Sequence, residues 1–255
     1  MWIDSHCHPF SKAFDKDRDE VIQRARKAGV SKMIVVGYNQ SGNRAAIKMA
    51  EDHPDMWATI GVHPCDCGEL TDEELNWMRG TAQSNDRVVA IGEMGLDYHH
   101  MKASKEVQEE VFRKQIRLAK ELDLPCVVHS RDAAEETLAI LIDEEADKVI
   151  FHCYSYGYEF GKKVWAQGYY TSFSGVVTYP QAPDVQEAAA KAPDELILIE
   201  TDCPYLAPQT VRGKRNEMAY VVEVGRKLAE LRSVSEEELA KQVMRNLIAL
   251  FFDKI

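Results

Sequence analysis

The chain contains no apolar stretch of about 18 residues, the length at which a membrane-spanning helix becomes plausible. No basic region followed by an apolar run opens it, so we find no export signal and expect a cytoplasmic protein without a membrane partner. It also lacks a Gly-x-Gly-x-x-Gly motif after any β-rich run and a Walker A lysine motif, so a nucleotide-binding crevice has no support. Pro and Gly are scattered singly, and no linker is evident. We therefore expect one domain over residues 1–255.

Acidic residues outnumber basic ones: the chain has 42 Asp and Glu and 31 Lys and Arg, which gives a net charge of -11. This balance argues against a protein that holds nucleic acid over a broad basic surface, although it allows a local basic cluster. The 6 cysteines do not form a disulfide framework in a chain of this length. Cys65 and Cys67 could bind a metal ion, but their spacing is too short for a zinc ribbon. Reduced, packed cysteines are the favoured interpretation.

The chain does have a regular alternation of short β-rich runs and amphipathic helical segments. The β-rich runs are nearly continuously apolar, as expected for parallel strands that helices bury on both faces. Eight such units in about 250 residues predict a single-domain TIM (β/α)8 barrel, with an open doubly wound sheet as the alternative. The last two helices are predicted at 215–231 and 235–252. The predicted strands are 2–6, 32–37, 56–61, 87–93, 124–129, 148–152, 169–174 and 196–201.

Histidines and carboxylates gather at the carboxyl ends of these predicted strands, where TIM-barrel enzymes build their active sites. His6 and His8 end the first strand two residues apart, on the same side, so both imidazoles can face one cation. Asp4 could orient one of these imidazoles. The convergence of donors from distant parts of the chain is a stronger signal than any single motif. The residues that end or follow the strands in this way are His6, His8, His63, Glu93, His129, His152 and Asp202.

This donor set predicts two divalent metal ions. One ion would take the imidazoles of the first strand with Glu93 and Asp202, and the other would take His129 and His152, with Glu93 as a bridge. Two such ions lower the pKa of a shared water and clamp the oxygens of an in-line displacement at phosphorus. Asp202 is the expected general base, and Mg, Mn or Zn would suit the donors. A metal-free acid–base site is the alternative, but it would leave too many imidazoles without partners.

Basic and aromatic residues near these strand ends are candidates for substrate binding. A small basic cluster after the eighth strand of an acidic chain is typical of a clamp on phosphate, with surface solvation as the alternative. Arg131 could contact phosphate or pair with a neighbouring acid, and His63 is expected to contact phosphate or a leaving oxygen rather than a cation. A tyrosine at the rim could stack on a base. The predicted substrate-binding residues are His63, Arg131, Tyr156, Arg212, Lys214 and Arg215.

Six sequence runs together resemble the TatD family of metal-dependent deoxyribonucleases, within the amidohydrolase superfamily. The resemblance implies a TIM barrel, a divalent metal pair and hydrolysis of phosphodiester bonds in DNA, often as a 3'-5' exonuclease on single strands or ends. It implies the ligands His6, His8, Glu93, His129, His152 and Asp202. The runs are Asp-Ser-His-Cys-His at 4–8, Gly-Val-His-Pro at 61–64, Ile-Gly-Glu-Met-Gly-Leu-Asp-Tyr at 91–98, Val-Val-His-Ser-Arg at 127–131, Phe-His-Cys-Tyr-Ser at 151–155 and Glu-Thr-Asp-Cys-Pro-Tyr-Leu-Ala-Pro at 200–208.

The sequence departs from that family pattern at two positions and leaves two other functions open. Tyr156 stands where relatives usually have glycine, and Met218 where they usually have proline, which bears on substrate preference rather than on the ligands. An amidase or lactonase on the same scaffold is the first alternative, but many such relatives bridge their metals with a carbamylated lysine where this chain has Glu93. A non-catalytic binder is the second, and Asp202 beside a full ligand set argues against it. No obligate protein partner is indicated.

Overall fold

The computed structural model describes residues 1–252, so the last three residues of the predicted domain lie outside it. Eight parallel strands alternate with helices, and their order in the sheet is the order of the chain. A doubly wound sheet would reverse its strand order at a switch point, so that alternative is wrong. The strands are β1 (Trp2–Cys7), β2 (Val30–Val36), β3 (Met56–Ile60), β4 (Val88–Asp97), β5 (Cys126–Arg131), β6 (Val149–Phe151), β7 (Tyr170–Phe173) and β8 (Ile197–Ile199).

Nine α-helices lie within residues 1–252, and none of them is both long and apolar enough to cross a bilayer. Their amphipathic patterns are as predicted, with apolar side chains on one face and charges on the other. The helices are α1 (Arg18–Lys27), α2 (Gln40–Asp52), α3 (Asp72–Ser84), α4 (Lys105–Leu122), α5 (Ala134–Asp143), α6 (Tyr158–Trp165), α7 (Pro183–Lys191), α8 (Val221–Arg232) and α9 (Glu236–Phe251).

The chain divides into two compact units. The terminal unit combines residues 1–35 with those from 153 onwards, and the central unit is 36–152. In the terminal unit β1 pairs with β2 and β7 pairs with β8. The Ser5 hydroxyl in β1 donates to the Ile199 carbonyl in β8 at 3.0 Å, which joins these two strands. In the central unit β4 pairs with β3 and β5, and β5 pairs with β6. The single domain over 1–255 stays a prediction.

Two differences from the predicted boundaries bear on function. Strand β4 does not end at Glu93 but continues to Asp97, because its last residues pair with β5 as far as Arg131. Helix α8 begins at Val221 rather than at 215. The preceding segment is held in a loop because the side-chain amide of Asn216 donates to the Thr201 carbonyl at 2.8 Å and to the Tyr205 carbonyl at 2.6 Å.

Candidate metal centre

In the terminal unit, backbone hydrogen bonds tie the end of β1 to the loop after β8. The amide of Asp202 donates to the His6 carbonyl at 2.9 Å, and the amide of His8 donates to the Cys203 carbonyl, also at 2.9 Å. Asp202 has a φ of 56°, in the left-handed region that Asp tolerates better than most residues. These bonds place the side chains of His6, His8 and Asp202 side by side.

The donor atoms of these three side chains converge. Nε2 of His6 lies 3.2 Å from Nε2 of His8, and Oδ1 of Asp202 lies 3.7 Å and 3.3 Å from these two nitrogens. Cations such as Zn²⁺ bind nitrogen and oxygen at about 2.0–2.2 Å, so ligand atoms that share one cation stand roughly 3–4 Å apart. Both histidines are buried, with 0% and 4% of their surface exposed. Two imidazoles and one carboxylate therefore fit a divalent cation.

Asp4 does not orient an imidazole, contrary to the sequence prediction. Its Oδ1 accepts from the backbone amides of Thr201 at 2.9 Å and His6 at 3.3 Å, and its Oδ2 accepts from the Thr201 hydroxyl at 2.6 Å. Burial raises the pKa of Asp4 to about 8, against the lowering effect of those hydrogen bonds. Asp4 therefore fixes the backbone beneath the site and does not touch the donor nitrogens.

A second cluster lies in the central unit around Glu93. The Glu93 amide donates to the Gly37 carbonyl at 2.8 Å, which fixes the strand at this residue. Oε1 of Glu93 lies 3.0 Å from Nε2 of His152 and 3.2 Å from Nδ1 of His129, and these two nitrogens are 3.4 Å apart. The three donors form a group of candidate metal ligands, so this cluster also fits a divalent cation.

The surrounding imidazoles keep the Glu93 carboxylate ionised. Burial by itself would raise the pKa of Glu93, but the nearby His152 and His63, together with hydrogen bonds from His129 and His152, hold it well below its usual value. An ionised carboxylate is the form that binds a cation. A cation at this cluster would replace the proton by which Nδ1 of His129 binds Glu93, because an imidazole binds metal through an unprotonated nitrogen.

Asp97 supports this cluster and was missed as a site residue. Its Oδ2 accepts from Nε2 of His129 at 3.2 Å, on the ring edge opposite the Nδ1 that faces Glu93. A carboxylate that holds the far nitrogen of a metal-binding histidine fixes the ring and its tautomer. Asp97 is 1% exposed, and hydrogen bonds from His129 and His100 overcome burial and lower its pKa far below the usual range. The predicted strand stopped four residues too early, although Glu93 and Asp97 share a side of an extended strand.

His63 lies beside the same cluster. The Cys65 amide donates to its Nδ1 at 3.1 Å, so Nδ1 is the acceptor and the proton of the neutral ring is on Nε2. Burial lowers the pKa of His63 to about 4, despite the opposing charge of Glu93, so the ring is neutral at pH 7. The protonated nitrogen, Nε2, lies 3.4 Å from Oε1 of Glu93. This tautomer favours the predicted role as a hydrogen-bond donor to substrate over metal binding.

Arg215 is held by the protein's own carboxylates, contrary to its predicted role as a phosphate clamp. Its guanidinium donates twice to Asp17 at 2.7 Å, once to Glu217 at 2.8 Å and once to the Ala13 carbonyl at 2.8 Å. Four donors are therefore used within the terminal unit. The geometry assigns Arg215 to holding the segment before α8 against α1, so we leave it out of the substrate-binding set.

The other basic candidates are open to solvent. Arg212 is exposed and stacks on the Tyr179 ring, with its guanidinium carbon 4.3 Å from the ring centroid. Lys214 and Arg131 are exposed, and neither makes an ion pair with any of residues 1–252. The Tyr156 ring packs edge-on against Phe160, with centroids 5.1 Å apart. Arg212, Lys214, Arg131 and Tyr156 therefore remain predictions as substrate contacts.

Comparison with known proteins identifies the family. The model of the "TatD related DNase" family matches residues 3–252. The chain is 42% identical to the uncharacterized metal-dependent hydrolase YabD of Bacillus subtilis, over 98% of this chain and 99% of the relative. It is 34% identical to a protein of Erwinia tasmaniensis named 3'-5' ssDNA/RNA exonuclease TatD, over 94% of this chain and 96% of the relative.

A solved structure of similar sequence supports the fold. The crystal structure of YJJV, a TatD homologue from Escherichia coli, superposes with a TM-score of 0.91 at 28% identity, over 98% of this chain and 97% of that one. The predicted (β/α)8 barrel fold is thereby confirmed. Because the family model covers nearly the whole chain and the relatives share the enzyme class, the chain belongs to the TatD family and is a metal-dependent hydrolase.

Proposed function

We propose that this hydrolase cleaves phosphodiester bonds in DNA as a 3'-5' exonuclease that uses two divalent ions, Mg, Mn or Zn. The observation that carries the proposal is the convergence of imidazole nitrogens and a carboxylate oxygen in each of two clusters. The proposed ligands are His6, His8, Glu93, His129, His152 and Asp202.

The dinuclear centre predicted from the sequence is part of this proposal, because in (β/α)8 barrels the carboxyl ends of the strands share the face that carries the active site. Glu93 is the proposed bridge because one of its oxygens already has several imidazole nitrogens around it. The exposed basic side chains of Arg212 and Lys214, after the eighth strand, favour a phosphodiester over a small neutral amide as the substrate.

Side chains of this protein are proposed to transfer the proton and to bind the phosphates. Divalent ions, when bound, supply Lewis acidity and lower the pKa of water toward neutrality. Asp202 is the proposed acceptor of the proton of the attacking water; its carboxylate lies at the donor cluster and its side chain is 13% exposed, which supports this role. Nε2–H of His63 is the proposed donor to a phosphate oxygen. Arg212, Lys214 and Arg131 are the proposed partners of further phosphates.

The relatives support a nucleic-acid substrate without naming one for this chain. The Erwinia protein carries a name that includes both single-stranded DNA and RNA. Single strands are the preferred form in this proposal, because a net charge of -11 gives no broad basic surface for a duplex. Tyr156 is the proposed stacking surface for a base. A cytoplasmic location is part of the same proposal.

The test is a product time course on oligonucleotides labelled at the 5' end. Single-stranded DNA, double-stranded DNA and RNA of one sequence are compared after chelation and add-back of Mg²⁺, Mn²⁺, Co²⁺ or Zn²⁺. We expect a ladder of 5'-labelled fragments that shorten from the 3' end, loss of activity on chelation, and little turnover by Asp202→Asn. Cleavage of amides or lactones with no cleavage of any oligonucleotide or of bis-p-nitrophenyl phosphate would refute the proposal.

A further inference from the structure

A third group of possible metal ligands lies in the central unit and is centred on Oδ2 of Asp97. Cys65 Sγ lies 4.0 Å from Oδ2 of Asp97, and Nδ1 of His100 lies 2.8 Å from the same oxygen. One sulfur, one oxygen and one nitrogen thus come within 4.8 Å of one another. None of these residues belongs to the proposed dinuclear centre, although Asp97 supports it through His129.

The backbone fixes this group before any cation is bound. Oδ1 of Asp97 accepts from the amides of His99 at 3.0 Å and His100 at 2.7 Å, so the carboxylate is locked and its Oδ2 is directed at the side chains. Cys65 lies on the 3-10 turn Pro64–Glu69, which begins directly after His63. The His100 side chain is 46% exposed, so a cation can reach the group from solvent and keep water as a fourth ligand.

The chemistry of the donors selects a class of cation. A thiolate with an imidazole and a carboxylate suits Zn²⁺, Co²⁺ or Cd²⁺, whereas Mg²⁺ and Mn²⁺ prefer oxygen ligands. Burial and the charge of Asp97 raise the pKa of Cys65 to about 11, so the thiol keeps its proton in the absence of metal. When a cation binds the sulfur, that proton is released to solvent. Cys67 cannot serve in the same way, because its Sγ points to the Pro64 carbonyl at 3.1 Å.

We propose that Cys65, Asp97 and His100 form a separate, solvent-facing site for a thiophilic divalent cation. A cation on Oδ2 of Asp97 competes with the hydrogen bond from Nε2 of His129 to the same oxygen. Occupancy of this site therefore loosens His129 and lowers turnover. That consequence rests on the proposed function, whereas the binding of the cation does not.

Cobalt absorption tests the site without any measurement of activity. Co²⁺ is added to the purified, reduced protein, and the thiolate-to-cobalt charge-transfer band is recorded in the near ultraviolet. The proposed dinuclear centre contains no sulfur ligand, so a band that is lost in Cys65→Ser comes from the Cys65 site. We expect the band in the unsubstituted protein, its loss in Cys65→Ser, and a weaker band in His100→Ala. Cys67→Ser is the matched control and should keep the band.

The outcomes separate this proposal from the proposed function. A band that persists in Cys65→Ser, or no band at any Co²⁺ concentration that fills the other sites, would overturn the cation site and leave the nuclease proposal intact. As a second measurement, Zn²⁺ should slow alkylation of Cys65 by iodoacetamide, followed by mass spectrometry. Excess Zn²⁺ added to the Mn²⁺-loaded enzyme should lower turnover more in the unsubstituted protein than in Cys65→Ser, in which only exchange at the dinuclear centre remains. Equal inhibition of both would refute the regulatory consequence.

Discussion

Replacing Asp97 by asparagine tests whether this carboxylate holds His129 for metal binding. In the native protein Oδ2 accepts from Nε2–H of His129, so that a cation can replace the proton on Nδ1, the nitrogen beside Glu93. The side chain introduced by Asp97→Asn would keep Oδ1 as the acceptor for the amides of His99 and His100, so the loop should stay folded. Its amide nitrogen would then face Nε2, where two donors oppose each other. The His129 ring is expected to move its proton to Nδ1 or to rotate away.

The size of the effect follows from the bond that is lost. A hydrogen bond to a charged group contributes about 1.5–3 kcal/mol. Loss of a carboxylate behind a metal-binding histidine weakens metal affinity or activity about 10–100-fold, and each tenfold change is about 1.4 kcal/mol. The two figures agree. We expect Asp97→Asn to weaken Mn²⁺ binding at the His129 cluster or the turnover by this factor, and to lower the urea-derived unfolding free energy by no more than about 3 kcal/mol.

The assay is calorimetric titration of Mn²⁺ into chelator-treated protein, followed by urea unfolding of the same samples. Asp132→Asn is the matched control. The Asp132 carboxylate also accepts a hydrogen bond from a histidine, His99, at 3.1 Å, but it is 65% exposed and His99 is not a proposed metal ligand. This variant should bind Mn²⁺ like the unsubstituted protein. If Asp97→Asn also binds Mn²⁺ and turns over substrate normally, the reasoning about His129 is refuted.

Three further predictions concern backbone fit, substrate contacts and pH. A Cβ at Gly95 would lie 2.0 Å from a β5 carbonyl oxygen. Gly95→Ala should therefore lower the urea-derived unfolding free energy by about 3 kcal/mol or more. Gly80→Ala is the control and should not lower it, because its Cβ would meet nothing within 4 Å. Arg212→Ala should raise KM for oligonucleotides, whereas Arg215→Ala should lower the urea midpoint and leave KM unchanged; the reverse pattern would contradict the assignment. Hydrogen bonds from Arg215 lower the pKa of Asp17 from 3.8 to about 2, so their stabilisation is present above about pH 4 and is lost as pH falls toward 2. The urea midpoints of the native protein and Arg215→Ala should therefore converge over that range, and a constant gap would contradict this.

The sequence predicted the fold because its signals are local and repeated. Apolar runs between amphipathic helices mark buried parallel strands wherever they occur. The spacing of Ser235 and Glu238 predicts a capping box at the start of α9, and both of its reciprocal hydrogen bonds form. Thr71 and Glu74 have the same spacing before α3, but only half of the box forms: Thr71 accepts from the Glu74 amide, while the Glu74 carboxylate binds Arg44. Such differences arise where a distant residue competes for a local partner.

Long-range partners also explain what the sequence could not predict at the site. Residue type alone does not distinguish Arg212 from Arg215, and only the fold brings Asp17, which is 198 residues away, to the latter. The sequence also suggests that Asp4 could orient an imidazole. In the structure its carboxylate oxygens instead accept hydrogen bonds from the amide and the hydroxyl of Thr201, which is 197 residues away. The donors themselves were predictable because they lie in or just after the carboxyl-terminal halves of strands, and the ends of parallel strands point the same way.

The central proposal is that the chain binds two divalent ions through the six predicted ligands. The most direct measurement is anomalous diffraction at the manganese edge from crystals of the Mn²⁺-loaded protein. We predict two peaks, one ligated by His6, His8 and Asp202 and one by His129 and His152, with Glu93 bound to both. A single peak, or peaks whose ligands exclude Glu93, would contradict the account.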